Sequence, residues 1–303
     1  MSFNMYVPTR ILFGAGELNS LHAQKMPGKK ALIVISNGKS ARSNGYLARA
    51  EDQLKMAGIG TALFDRVEAN PLRSTVMSGG AFAKENGCDF IVALGGGSCI
   101  DAAKAIAVMA ANDGDYWDYV FGGTGKGKAM EHKPLPVVAI TTTAGTGSET
   151  DPWAVVTHET NQEKIGLGND DMFPVLAVVD PELMLSVPPR FTAYQGFDAL
   201  FHSVEGYVSK GASLLSDMYA ITAIENISRN LARAVKNGRD IDAREKVAFG
   251  NTLSGLVESV GLLTSEHSLE HAMSAYHQQL AHGAGLIMIS KAYYTFFAKS
   301  GSC

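Results

Sequence analysis

The first 180 residues alternate short apolar runs with helically spaced segments, and this rhythm restricts the fold more than any other feature of the chain. Residues 31–36 (Ala-Leu-Ile-Val-Ile-Ser) are apolar almost without a break, the pattern of a strand covered on both faces in a parallel sheet. Residues 41–56 then carry apolar side chains at helical spacing and stop at Gly58; residues 61–67 read as a second strand, 74–85 as a second helix and 89–94 as a third buried strand. Strand, helix, strand in this order implies βαβ units in a doubly wound α/β domain. Further strands are expected at residues 135–141 and 175–180, with a shorter extended piece at 153–157. The stretch 122–128 (Gly-Gly-Thr-Gly-Lys-Gly-Lys) reads as a mobile surface loop or, more simply, a solvated turn.

The texture changes after Pro188-Pro189. Residues 192–208, 214–235 and 243–260 are long helical patterns with almost no β-branched runs. A chain of 303 residues exceeds the size at which one core usually stops growing. We therefore expect a sheet domain over residues 1–185 and an all-helical domain over 186–303. The hinge is expected within 180–189, because prolines end strands and resist continuing helices.

Charge and cysteine usage exclude several classes. A net charge of -4, with lysines and arginines scattered along the chain, provides no basic field for nucleic acid. Cys88, Cys99 and Cys303 are odd in number and far apart, as expected of free thiols in a reducing compartment. The apolar stretch 102–111 is interrupted by Lys104 and is too short to span a bilayer. The N-terminus has no basic stretch leading into an apolar one. A cytoplasmic protein without membrane or nucleic-acid partners is expected.

The strand at residues 89–94 runs into Gly95-Gly96-Gly97-Ser98, and a helix begins near Ile100, with Asp101 in its first turn. Glycines at such a turn let backbone N–H groups approach a phosphate, and the helix N-terminus adds partial positive charge. A second loop, Thr141 to Glu149, also follows a buried strand and offers hydroxyls and small residues. Together they point to a Rossmann-like dinucleotide site at the strand ends. After the first strand the chain reads Ser36-Asn37-Gly38-Lys39-Ser40-Ala41-Arg42. No acid is present there to bind a ribose 2′-hydroxyl. Neutral Asn37, Gly38 and Ser40, with Lys39 and Arg42 nearby, lean toward NADP(H) over NAD(H).

In the second half, Asp198 and His202 are four residues apart, so a helix projects both from one face. His267 supplies a third ligand and His282 a fourth. One carboxylate with three imidazoles suits iron(II) or zinc better than calcium or magnesium.

Several motifs in order give the chain a wider resemblance: Arg10-Ile-Leu-Phe-Gly-Ala-Gly16, Gly95-Gly-Gly-Ser-Cys-Ile-Asp101, Thr142-Thr-Ala-Gly-Thr-Gly-Ser-Glu149, Pro188-Pro189, Gly196-Phe-Asp-Ala-Leu-Phe-His202, Glu205-Gly-Tyr207, the paired histidines and His282-Gly-Ala-Gly-Leu286. The chain resembles the iron-containing (group III) alcohol dehydrogenases, which include butanol, 1,3-propanediol and lactaldehyde-interconverting enzymes. By position the resemblance places metal ligands at Asp198, His202, His267 and His282, and nucleotide contacts at Gly96, Gly97, Ser98, Asp101, Thr142, Thr143, Thr146 and Lys164. It sets His271 near the nicotinamide and substrate as a proton relay, with His277 as a second candidate. The segment from His271 to His282 is one residue longer than the family spacing, and Gln195 stands where a small residue is usual. Relative to the family, the last part of the helical domain is expected to be missing.

The resemblance implies an oxidoreductase working as a homodimer or larger homo-oligomer, with Fe(II) or zinc and NADP or NAD. Its expected reaction is hydride exchange between a primary alcohol and its aldehyde. Three alternatives stand beside it: a dehydroquinate-synthase-like lyase, a polyol or glycerol-phosphate dehydrogenase of the same superfamily, and an inactive truncated binding module.

Overall fold

In the computed structural model, which describes residues 3–300, the apolar runs pair side by side. The strands are β1 (Arg10–Phe13), β2 (Lys30–Ser36), β3 (Gly60–Val67), β4 (Phe90–Gly95), β5 (Val137–Thr141), β6 (Ala154–His158), β7 (Glu163–Leu167) and β8 (Leu176–Val179). Six of them form a sheet in the order β1-β8-β5-β4-β2-β3 with parallel pairing throughout, while β6 and β7 pair as an antiparallel hairpin. The central strands bury both faces. Leu32, Val34, Ile91, Ala93 and Ala139 pack into one layer with Ile100, Ala103 and Ile106. Ile33, Ile35, Val92, Leu94 and Ile140 pack into the other with Leu18, Leu21, Leu47 and Leu54. Alternate residues thus serve opposite layers, which is why these strands read as unbroken apolar runs.

The helices of this part are α1 (Ser40–Ser43), α2 (Tyr46–Met56), α3 (Arg73–Glu85), α4 (Gly97–Ala111) and α5 (Tyr116–Tyr119). The helix expected over residues 41–56 is divided, because Gly45 takes a left-handed φ of 74°. Strands β1 and β7 escaped the sequence reading: β1 has only four residues at a sheet edge, and β7 (Glu-Lys-Ile-Gly-Leu) mixes charge and glycine. The stretch at residues 122–128 is a largely exposed surface turn, in keeping with the reading as a solvated turn, and it is hydrogen-bonded to its surroundings. Lys126 N donates to Trp117 O, Gly127 N to Val120 O and Lys128 N to Asp118 O, and Thr124 donates through N and Oγ1 to Glu163. Its backbone donors thus find carbonyls and a carboxylate.

The chain enters β3 on one side of β2 and returns as β4 on the other. That reversal is a topological switch point, where doubly wound sheets bind ligands outside their strands' carboxyl ends. The loops leaving β2, β4 and β5, at residues 37–40, 96–98 and 142, stand at those ends of three adjacent strands.

The second part is helical: α6 (Pro189–Tyr207), α7 (Leu214–Lys236), α8 (Ile241–Val260), α9 (Glu266–Tyr276) and α10 (His282–Ser300). Pro189 occupies the first turn of α6, where its missing N–H costs nothing. Ser213 and Ser216 close a reciprocal cap on α7, and Asp240 accepts from Ala243 N at the start of α8. Glycines let α6, α7 and α8 approach closely: a Cβ on Gly196 would stand 2.2 Å from Leu231 Cδ1, and one on Gly206 2.1 Å from Val257 Cγ1. Among the described residues the chain divides into two compact units, one made of Pro8–Thr142 with Ser148–Leu183, the other gathering Thr143–Gly147 with residues 3–7 and 184–300.

A buried ionic network joins α4 to the segment after β5. Lys104 is fully buried, and its Nζ donates to Ser148 Oγ at 2.8 Å, Asp151 Oδ1 at 3.0 Å and Trp153 O at 2.8 Å. Ser148 Oγ in turn donates to Asp101 Oδ1 at 2.6 Å. Removing the ammonium strands two desolvated carboxylates. Lys104→Ala is expected to cost about 3–5 kcal/mol, read as a fall in the urea midpoint relative to the parent chain; an unchanged midpoint refutes the role of this pair.

Candidate metal centre and nucleotide loops

Three imidazoles converge on one carboxylate oxygen. Asp198 Oδ1 lies 3.3 Å from His267 Nε2, 3.4 Å from His282 Nε2 and 3.6 Å from His202 Nδ1. Helical spacing in α6 puts Asp198 and His202 on one face, while His267 rides the first turn of α9 and His282 opens α10. The His202 and His267 rings stack at 3.9 Å between centroids. Asp198, His202 and His267 are buried and His282 is half-buried.

Each imidazole is backed by a glutamate. Glu205 Oε1 meets His267 Nδ1 at 2.6 Å, Glu270 Oε2 meets His282 Nδ1, and Glu258 Oε1 stands 3.5 Å from His202 Nε2. Glu205 also accepts from Thr264 Oγ1 and from the backbone N–H groups of Glu266 and His267, so a carboxylate from α6 caps the first turn of α9.

The electrostatics follow from this crowding. Burial alone would raise the Asp198 carboxyl, but the surrounding imidazoles override it and hold it well below the usual carboxylate range. Burial, with His267 beside it, pushes His202 down to about 3. Burial opposes protonation of His267 too, yet its bonds to Asp198 and Glu205 carry it up to about 9. Burial, with the Glu205 charge nearby, lifts the Glu266 carboxyl to about 7. The group favours positive charge at its centre. His202 Nδ1 is buried without a hydrogen-bond partner and faces Asp198. An inward-facing orphan nitrogen beside a converging carboxylate and two imidazoles fits a divalent iron or zinc ion.

The glycines of the His282-Gly-Ala-Gly motif make room for this centre. A Cβ on Gly283 would stand 2.2 Å from Tyr194 O of α6, and one on Gly285 would stand 2.8 Å from Glu270 Cγ. A Cβ on Gly145 would stand 3.1 Å from Asp198 Oδ2. Gly147, at a φ of +66°, donates its N–H to Asn251 Oδ1 and leaves no space for a side chain against Gly255 N. Gln195 lies beside Gly145.

The other sequence-chosen residues divide. His271 is half-buried, with its ring centroid 5.4 Å from that of His282. His277 is exposed at the end of α9, and no candidate ligand group found among the described residues includes it. At the strand ends, Asn37, Gly38 and Ser40 are exposed, Gly96 caps α4, Gly97 and Ser98 open it, and Thr142 N donates to Gly95 O. Gly95 has its own reason to lack a side chain, since a Cβ would stand 2.4 Å from Cys99 Sγ; burial pushes that thiol up to about 12. The Asp101 carboxylate is taken up by Ser148 Oγ and Val155 N. Lys164 Nζ donates to Asn70 Oδ1 at 3.1 Å. Thr143 and Thr146 fall in the compact unit that holds the metal centre, and Thr142 in the other. Arg42, counted from sequence as a cation open to a 2′-phosphate, is paired with Asp65 of β3 at 2.6 Å.

Sequence reasoning passed over three residues. Glu205 and Glu270 sit within the motifs already read, the second between two histidines. Glu258 lies on α8, and nothing in its local sequence marks it.

Comparison with known proteins identifies the family. Residues 8–181 match the family model described as iron-containing alcohol dehydrogenase, and residues 192–299 match its C-terminal domain model. An NAD-dependent methanol dehydrogenase of Bacillus methanolicus is 38% identical over 283 residues, covering 92% of this chain and 72% of the relative. The structure of an archaeal halo-thermophilic alcohol dehydrogenase from a Red Sea brine pool superposes with a TM-score of 0.92 at 39% identity, covering 96% of this chain and 73% of that one. That of the NADH-dependent butanol dehydrogenase A of Thermotoga maritima gives 0.90 at 30% identity, covering 99% and 75%.

The close approach at Gly283 yields a test. Gly283→Ala forces α10 away from the α6 backbone and carries His282 with it. The expected cost is about 1–3 kcal/mol of stability, with weaker zinc retention in a chelator competition. Parent-like retention would show that the motif serves something other than ligand placement.

Proposed function

The chain belongs to the iron-containing alcohol dehydrogenase family, and from that membership we propose that it exchanges a hydride between NAD(H) and a primary alcohol or its aldehyde at a divalent metal ion. The observation that carries the reading is the convergence of three imidazole nitrogens on Asp198 Oδ1. Asp198, His202, His267 and His282 would hold the metal, in the helical half that we assign to residues 186–303. The loops at 37–40, 96–98 and 142–146, together with Lys164, would receive the dinucleotide, chiefly from the half assigned to residues 1–185. When bound, the metal polarises the substrate oxygen and the nicotinamide carries the hydride.

The protein's own residues supply position and protons. Backbone N–H groups at the start of α4 favour an anionic pyrophosphate. His271, half-buried one turn beyond His267, would exchange a proton with the substrate oxygen, and exposed His277 would pass it to solvent. The Arg42–Asp65 pair neutralises one of the two cations near the ribose loop, which favours NAD(H) over NADP(H). The relatives described as NAD- and NADH-dependent support the same choice. Fe(II) and zinc both suit the donor set, so metal reconstitution decides between them. From the family resemblance, a homodimer or larger homo-oligomer is proposed for the working form.

Reduction of butyraldehyde by anaerobically purified protein is expected to run faster with NADH than with NADPH. It should collapse on chelation and return with Fe(II) or zinc, whereas a rate indifferent to chelation would overturn the metal-dependent reading. His267→Ala is expected to lose metal and turnover together. His271→Ala should keep its metal and lose roughly 10²- to 10⁴-fold in turnover; metal loss in that variant would make His271 a ligand.

A further inference from the structure

The metal reading leaves unassigned the carboxylates behind the ligands. Glu205 and Glu270 come from different helices, α6 and α9, yet they make the same contact. Both side chains are completely buried, and each presents an oxygen to the Nδ1 of a histidine whose Nε2 faces Asp198 Oδ1. Burying a carboxylate is costly unless it is paired or richly hydrogen-bonded. Here two are buried behind one centre, and the matching contacts are what they have in common.

We propose that Glu205 and Glu270 are positioning residues that fix the tautomer and ring orientation of His267 and His282 and thereby set the affinity of the centre for a divalent cation. The inference rests on the metal reading above. A neutral imidazole, the form that binds a metal, offers its Nε2 lone pair on the opposite edge when it donates Nδ1–H to a carboxylate, and the acceptor's charge raises the basicity of that lone pair. Two such pairs, arriving from different helices, aim both lone pairs at one point. Glu205 does this while holding the His267 backbone N–H, so ring and main chain are set by one group. Glu270 also receives Ser274 Oγ at 3.4 Å, and it fits against α10 because Gly285 has no side chain to meet it.

Glu258 makes a looser approach to His202, at 3.5 Å and with its side chain 10% exposed. Its contribution is accordingly smaller. The order of effects expected on metal affinity is Glu205 and Glu270 above Glu258, with exposed Glu225 as a control.

Glu270 belongs to a second geometric grouping, with His271 and His282, and this offers a rival role as ligand to another ion. Stoichiometry separates the two. One zinc per chain supports the positioning role, and two, falling to one in Glu270→Gln, would overturn it for that residue.

The test is zinc and cobalt(II) binding to the full chain by competition with a chromophoric chelator, with the cobalt absorption bands recorded for each form. Glutamine keeps the volume and one acceptor oxygen while removing the charge. Glu205→Gln and Glu270→Gln are each expected to raise the dissociation constant about 10- to 100-fold, Glu258→Gln less, and Glu225→Gln not at all. The positioning variants should also shift the cobalt bands. Parent-like affinity and spectra in both would overturn the inference while leaving the metal reading intact. No metal binding by the parent chain would overturn both. Should Glu205→Gln fail to fold, Glu270→Gln and the parent protein still decide the matter. In the zinc-loaded parent, nitrogen-15 correlation spectra are expected to show His267 and His282 protonated at Nδ1, and protonation at Nε2 in either would refute the proposed geometry.

Discussion

The helical half is organised around one desolvated carboxylate oxygen. Asp198 Oδ1 collects nitrogens from α6, α9 and α10, and the crowding of imidazoles and glutamates around it settles much of what the neighbouring helices must provide. An isolated buried acid would take up a proton. Here the imidazoles keep it ionised, and the glutamates behind them each face a histidine nitrogen. A centre so rich in carboxylate oxygens and ring nitrogens suits an ion carrying two positive charges. The same requirement explains the close helix approach at Gly283 and Gly285, since ligands on three helices meet only if their backbones come near.

The sheet half rests on a different arrangement. The loops proposed for the nucleotide depend on where strands end, and the reversal of direction between β3 and β4 brings the ends of β2, β4 and β5 side by side. Beneath them, the Lys104, Asp101, Asp151 and Ser148 network replaces apolar packing with charge. Such a network tolerates little displacement, because each member is desolvated and relies on the others. The α4 N-terminus is thereby held to the chain that follows β5.

Much of this was legible in the sequence, for reasons that also explain what was not. Strands covered on both faces announce themselves as apolar runs, as residues 31–36 and 89–94 did, whereas β1 and β7 lie outside the doubly covered centre and carry a weaker signal. Asp198 and His202 were readable because a helix converts a four-residue spacing into a shared face. His267 and His282 were readable through the resemblance and through their motif glycines. Glu258 was not, because its relation to His202 arises only when α8 packs against α6. The pairing of Arg42 with Asp65 was not, because Asp65 lies on another strand. Charge partners distant in sequence are a property of the fold, and local pattern does not encode them.

Residues 143–147 group with the helical unit, although the chain on both sides of them belongs to the sheet unit. The polypeptide therefore crosses between its two units near residue 7, on both sides of this excursion and near residue 183. A single cut near residue 183 would not yield two self-contained pieces, since the sheet fragment would carry away a segment whose Gly147 is seated against Asn251 and Gly255. Each unit is thus discontinuous in sequence, and a fragment defined by one cut leaves residues 143–147 apart from the unit they pack into.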